Sequence, residues 1–455
     1  MEIKPFRALR FNPEVVGNPG TCIAPPYDVI DEQTQCDLYH ANPFNIVRAT
    51  KGLKYPEDNE ESNVYTRAAD YLKEAVHCRA LVYDPQESLY GYVQDFHIGN
   101  RAYQRSGIIA LGRLEPFGKG IRPHEKTLDG PKADRLNLMR ATAAQFGQIF
   151  MLYDDPARTA EQIIAKAMEQ PPVLDFTDKE NVRHRLYIIP QNEAIETFVE
   201  MMRSKSGIIA DGHHRYETAL NYWQETRNPN AQWQMMTFVN TYNEGLVIQP
   251  THRLLRGLPD FSASALLEKL SADFEIQPLP FADENQRAEA SRQMFEKMKQ
   301  AQSEGKTAFG FYAGEDAFHV LTLKNPEAMA QAAPHMSAVS RRLDVNVLHR
   351  LILEKHLNIG DEKLASQSHI DYIKDLGDAI DQSIRRIDAG DAQAVFFLNP
   401  TPMSHVRAVA EAGEKMPQKS TFFYPKVFSG LTIYVVGPVP QKRHRYDFLK
   451  QECLR

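Results

Sequence analysis

Several things are scarce in this chain of 455 residues. It has four cysteines, Cys22, Cys36, Cys78 and Cys453, with no C-x-x-C pair and no zinc-ligand spacing among them. Scattered cysteines read as free thiols of a reducing compartment, so a disulfide scaffold and a zinc knuckle are excluded and a cytoplasmic protein is expected. No apolar run approaches the roughly 18 residues that a membrane span needs. The opening MEIKPFRALRF carries basic residues without the apolar stretch of a secretory leader. No membrane partner is expected. Positive charge is also lacking: 53 basic residues against 59 acidic give a net charge of -6. That argues against a broad nucleic-acid-binding face. What the chain has is length, enough for two to four domains at about 150 residues each. With 42% hydrophobic residues it can bury several cores without disulfide or metal.

Strand-like and helix-like segments alternate throughout, which predicts a mixed α/β (α+β) fold. The spacing predicts helices over 62–78 with Ser62 as N-cap, from about Pro131, and over 159–169 and 193–203. Strands are expected at 89–98, 106–113, 146–153, 184–189 and 235–240. A short apolar strand, Gly207-Ile208-Ile209-Ala210, runs into Asp211-Gly212-His213-His214-Arg215, and a helix follows to about Glu225. Beyond 258 the composition shifts to a small α+β pattern with a long polar helix at 283–303 and a hairpin near Gly314. Residues 325–340 read as a linker. Helices at 344–356, 375–387 and 403–412 and strands at 394–398 and 431–436 complete the pattern. The near-repeat of Arg105–Gly112 and Lys205–Gly212 is two similar buried strands, since the first copy lacks the histidines.

The segment Gly207–Ala219 carries the strongest chemical signal. A buried strand ends, a glycine turns the chain, and a helix opens with basic side chains in its first turn. Unsatisfied N–H groups and the positive end of the macrodipole make such a helix start an anion site. Cations are unfavourable there unless an anion is bound, so His213, His214 and Arg215 point to phosphate, with Arg215 as a fork donor. Asp211 is expected either to cap the helix or to hold a magnesium ion on that phosphate. The structural alternative is a capped corner with Arg215 paired to Glu217.

Three other segments were weighed. Pro123-His124-Glu125-Lys126-Thr127 is not a zinc-protease motif, because Leu128 stands where the second histidine is required. It remains a polar loop with Glu125 as a possible general base. Pro26-Tyr27-Asp28 offers an aromatic face and a carboxylate on a stiff segment, suited to stacking a base or acting on a hydroxyl. Gly413–Ser420 almost spells a P-loop, but Gln418 replaces the second glycine and a strand follows instead of a helix. Lys419, Ser420 and Lys426 could still line a phosphate pocket. His252 and His405 read as structural or surface residues.

The chain resembles an uncharacterised family, domain of unknown function 1015. The resemblance lies in Pro5–Ala8, Pro25–Ile30, Pro123–Thr127, the DGHHRYETA turn, Pro250–Arg253, Lys419–Thr421 and Ser429–Leu431. The Asp211–Arg215 turn is similar to the G-x-x-R phosphate turn of the ParB/sulfiredoxin superfamily, which includes an ADP-dependent free serine kinase. Sulfiredoxin chemistry needs a cysteine in this turn, and histidine stands there. The resemblance implies a ParB/sulfiredoxin-like core at 156–257 between a region at 1–155, a subdomain at 258–330 and a C-terminal region at 331–455. It further implies phosphate or nucleotide binding at Gly212, His213, His214 and Arg215. The expectation is a nucleotide-dependent small-molecule kinase using ADP or ATP with Mg2+, with a small hydroxyl-bearing metabolite as acceptor. Asp28, Glu125 and His213 are the candidate bases, Asp211 the candidate metal ligand, and Lys419 and Ser420 further phosphate contacts. The alternative is a nucleotide-binding switch or partner-binding module without turnover. Absence of a helix-turn-helix signal or basic arm makes a nucleic-acid partner unlikely.

Overall fold

A computed structural model describes residues 1–438 except 119, 126–128 and 191, with backbone alone at 129 and 131. The expected contributions of Lys126, Thr127 and Cys453 fall outside these residues. Among the described residues Cys22, Cys36 and Cys78 are free, and no helix is long and apolar enough to cross a membrane. The chain forms two compact units, one from residues 1–123, 127–247 and 425 onwards, the other from 124–126 and 248–424.

The first unit is built on a mixed nine-stranded sheet. Its strands are β1 (Ile3–Lys4), β2 (Ser88–Ile98), β3 (Arg101–Arg113), β4 (Ile121–Pro123), β5 (Ile149–Tyr153), β6 (Leu174–Thr177), β7 (Arg183–Pro190), β8 (Gly207–Asp211) and β9 (Trp233–Asn240). They run in the order β4-β8-β5-β9-β3-β2-β7-β6, with β1 beside β3. Strands from the expected 1–155 and 156–257 segments therefore interleave in one sheet. The β2–β3 hairpin turns at Gly99, whose φ of +54 suits glycine.

Helices α1 (Val64–His77), α2 (Asp129–Thr142) and α3 (His213–Thr226) belong to this unit. Asn63, not the expected Ser62, caps α1. Its side chain accepts from the N–H groups of Tyr65 at 3.0 Å and Thr66 at 3.2 Å, while Asn63 N–H donates to Thr66 Oγ1. Burial of Ile108, Ile149, Met151, Ile209, Tyr216, Met236 and Phe238 in one cluster joins the sheet to α3.

The second unit is an antiparallel six-stranded sheet: β10 (Thr251–Leu255), β11 (Phe274–Pro280), β12 (Ala308–Tyr312), β13 (Ala317–Leu323), β14 (Ile370–Lys374) and β15 (Ala394–Phe397), in the order β11-β13-β12-β15-β10-β14. Helix α4 (Glu284–Ser303) lays Met294 and Met298 into the core on one face. The expected linker at 325–340 contains short helices, Ala328–Ala332 and Ala338–Arg341. The helix expected at 344–356 is interrupted by a π-helical turn over Leu348–Glu354. The helix expected from 375 begins at Ala379, and the last expected strand shortens to Tyr434–Val435.

Candidate functional site

Strand β8 pairs with β5 in register until Ile209 and then slips, so that Asp211 lies opposite Phe150. Such a bulge re-aims the side chain that follows it. Gly212 then takes φ +93 and ψ 27 and occupies the cap position of α3, with no side-chain cap bond. Asp211 is therefore not the N-cap. The turn needs glycine twice over, because a Cβ at 212 would also stand 3.0 Å from the Arg215 guanidinium nitrogens.

Arg215 is fixed by that turn. Its Nη2 donates to Asp211 Oδ2 at 2.8 Å and its Nη1 to the Gln148 carbonyl at 2.5 Å. The structural alternative of an Arg215–Glu217 pair is not found: Glu217 meets Lys132 at 3.2 Å. Lys426 supplies the other cation, with Nζ 2.7 Å from Asp211 Oδ1. Burial alone would push the Asp211 carboxyl up, but Lys426 and Arg215 outweigh it and hold the group well below the usual carboxylate range. Two cations, Arg215 and Lys426, thus face one carboxylate.

Asp211 does not fit the role of magnesium ligand. Both its oxygens are taken by cations, and among the described residues no three or more His, Cys, Asp or Glu side chains gather as a metal site.

Around Arg215 lies a small cavity of about 70 Å³ whose wall includes Tyr27, Arg135, Gly147, Thr218 and Ser429. Tyr27, Thr50, Arg135 and Leu138 also line a neighbouring cleft of about 800 Å³. Arg135 stacks 4.0 Å over the Tyr27 ring, donates to the Thr50 carbonyl at 2.8 Å and pairs with Asp134. Tyr65 donates to the other oxygen of Asp134 at 2.9 Å. Burial, reinforced by the Asp28 carboxylate, pushes the Tyr27 hydroxyl up to about 12, against the pull of Arg135 and Arg215. The stiff Pro26-Tyr27-Asp28 segment and the Asp211–Arg215 turn thus meet at one cavity wall.

A strap from the end of the described chain closes this arrangement. Ser429 bridges Ala24 through both backbone groups, Gly430 N–H donates to the Phe146 carbonyl at 2.8 Å, and Lys426 reaches Asp211.

The remaining candidates are placed as follows. Asp28 is exposed, beside Tyr27, and does not line either cavity. His213 is buried at 7% exposure, close enough to Asp211 to bias its charge, and His214 is half-buried. Glu125, Lys419 and Ser420 lie together in the second unit, where Lys419 N–H donates to Glu125 Oε1 at 2.8 Å and Ser420 Oγ donates to the Pro417 carbonyl at 2.6 Å. His252 is fully buried and accepts from Leu398 N–H, a structural role. Sequence reasoning missed Arg135, Thr50 and Tyr65. Nothing in the local pattern of α2 separates Arg135 from its other basic residues.

A family model described as "Protein of unknown function (DUF1015)" matches residues 3–346. The chain belongs to this family. No curated protein matches it. Among solved structures, a free serine kinase in complex with AMP is 11% identical, covering 67% of this chain and 83% of its own, with a TM-score of 0.33. A conserved hypothetical protein from Pyrococcus furiosus is 14% identical over 70% of this chain and 95% of its own, with a TM-score of 0.32. SbnI from Staphylococcus aureus, truncated at its C-terminus, is 10% identical over 70% and 84%, with a TM-score of 0.30. Scores this low leave the chemistry to be read from the site itself.

Proposed function

We propose that this protein is a nucleotide-dependent phosphotransferase that acts on a small hydroxyl-bearing metabolite, with phosphate held at Gly212, His214 and Arg215. The observation that carries this reading is the position of the Arg215 guanidinium, fixed at both ends on the wall of a small cavity that shares Tyr27, Thr50, Arg135 and Leu138 with the 800 Å³ cleft. A cleft of that size falls within the range of small-molecule sites. Phosphoryl transfer asks a protein mainly for positioning and charge stabilisation. The Arg215 and Lys426 cations, together with the dipole of α3, supply the second from the protein's own residues. Asp28 is the base best placed to orient an acceptor hydroxyl, since it is an exposed carboxyl group next to the cleft residue Tyr27. The buried His213 supports the turn instead, and no step is assigned to a protein-held metal.

Thermal unfolding with ADP, ATP, CTP or inorganic phosphate, each with magnesium salt, tests the site. At about 100 times its Kd the right nucleotide stabilises the protein by about 2.7 kcal/mol. Arg215→Ala abolishes that shift. Asp28→Asn keeps the shift and loses transfer of the phosphoryl group to an acceptor. Nucleotide binding with no transfer by the wild-type protein would leave the switch reading, and no shift with any ligand would remove both.

A further inference from the structure

Ser429 has so far only a backbone role in the strap. Its N–H donates to the Ala24 carbonyl at 2.8 Å, and its carbonyl accepts from Ala24 N–H at 3.3 Å. One residue on, Gly430 N–H donates to the Phe146 carbonyl at 2.8 Å. These bonds fix the strap beside the Phe146–Gly147 loop and set the Ser429 side chain against Gly147. A Cβ built on Gly147 would stand 3.0 Å from Ser429 Oγ and 3.1 Å from Arg215 Nη1. A hydroxyl from the strap and a guanidinium from α3 therefore converge on the bare face of one glycine.

That hydroxyl has no partner among the described residues. Ser429 is 4% exposed and lines the same small cavity as Arg215, yet its side chain makes no hydrogen bond there. Buried polar side chains are ordinarily hydrogen-bonded, so an unpaired one on a cavity wall points to a ligand group. Arg215 has donors in reserve as well. Of its five N–H groups, one is given to the Gln148 carbonyl and one to Asp211. The cavity, about 70 Å³, has room for one small group and not for a nucleotide, since a water's share of the liquid is already about 30 Å³. Tyr27, Thr50, Arg135 and Leu138 line both this cavity and the 800 Å³ cleft, where the rest of such a ligand would lie.

We propose that Ser429 Oγ donates a hydrogen bond to a phosphoryl oxygen held by Arg215 in the small cavity, and that Gly147 is the glycine that keeps this place open. The assignment rests on the phosphate reading of the Arg215 turn and adds a ligand-binding residue to it. Titration calorimetry of the full chain with ADP and with inorganic phosphate tests it, beside thermal unfolding without ligand. Ser429→Ala loses one hydrogen bond to a charged group, which raises the Kd about tenfold. Gly147→Ala, whose methyl enters the space between the two donors, raises it at least as far. Because the hydroxyl bonds nothing in the protein, Ser429→Ala keeps the unliganded midpoint of the wild type, a readout that a structural hydroxyl would move. If Ser429→Ala binds ADP as tightly as the wild type while Arg215→Ala does not, the assignment is overturned and the phosphate turn stands. A lowered unliganded midpoint with an unchanged Kd overturns it in the same way. A wild-type protein that binds neither ligand removes the turn and the Ser429 contact together.

Discussion

At the scale of the residue, Asp211 sets the electrostatics of the phosphate turn. With a side chain 20% exposed and two cations on its two oxygens, it behaves as a largely buried ion-pair partner. Asp211→Asn would take away the carboxylate that Lys426 and Arg215 share. Breaking a fully buried pair costs about 3–5 kcal/mol, and allowing for the partial exposure we expect about 2–4 kcal/mol, measured by chemical denaturation at pH 7. The folded-state pKa of Asp211 is depressed, so its contribution is complete above the unfolded value near 4 and is lost as pH falls through the folded value. The wild type should therefore lose its advantage over Asp211→Asn on acidification below about pH 4. A difference that stays constant down to the acid limit would show that the ion pairs do not carry it.

At the scale of the element, the strap over 425–436 decides whether the parts of the site stay together. Gly430 has φ +88, and a Cβ there would stand 3.2 Å from the Ile46 side chain. Gly430→Ala should cost more than the 1–2 kcal/mol of left-handed strain alone. It should also weaken nucleotide-induced stabilisation, because the neighbouring bonds to Ala24 and Phe146 locate the Tyr27 segment and the Gly147 loop. Full retention of ligand response in a destabilised Gly430→Ala protein would make the strap a fold element without influence on the site. The strap also marks the limit of what the sequence discloses. Helices such as Thr159–Ala167, Glu193–Arg203 and α3 are legible to within a residue or two, because their apolar stripe repeats every 3.6 residues. The glycine turn and its basic first turn are legible for the same local reason. The partners of that turn are not: Lys426 is 215 positions from Asp211, and Gln148 is 67 from Arg215. Long-range pairing of this kind leaves no mark in local periodicity, and neither does the interleaving of strands from both halves of the first 240 residues.

At the scale of the whole molecule, the chain passes between its two units at 123/124, 126/127, 247/248 and 424/425. Each unit has a core of its own, one around Ile108, Phe238 and Tyr216, the other around Met294, Phe318 and Phe397. The candidate phosphate turn, with Arg215 and Asp211, belongs to the first unit. Separate cores predict departure from a single two-state transition. Scanning calorimetry of the full chain should give a measured enthalpy larger than the van't Hoff value, with two components. Asp211→Asn should move one component downward and leave the other in place. If both components move together, the four crossings couple the units into one cooperative system, and a ligand at the phosphate turn would then stabilise both by linkage.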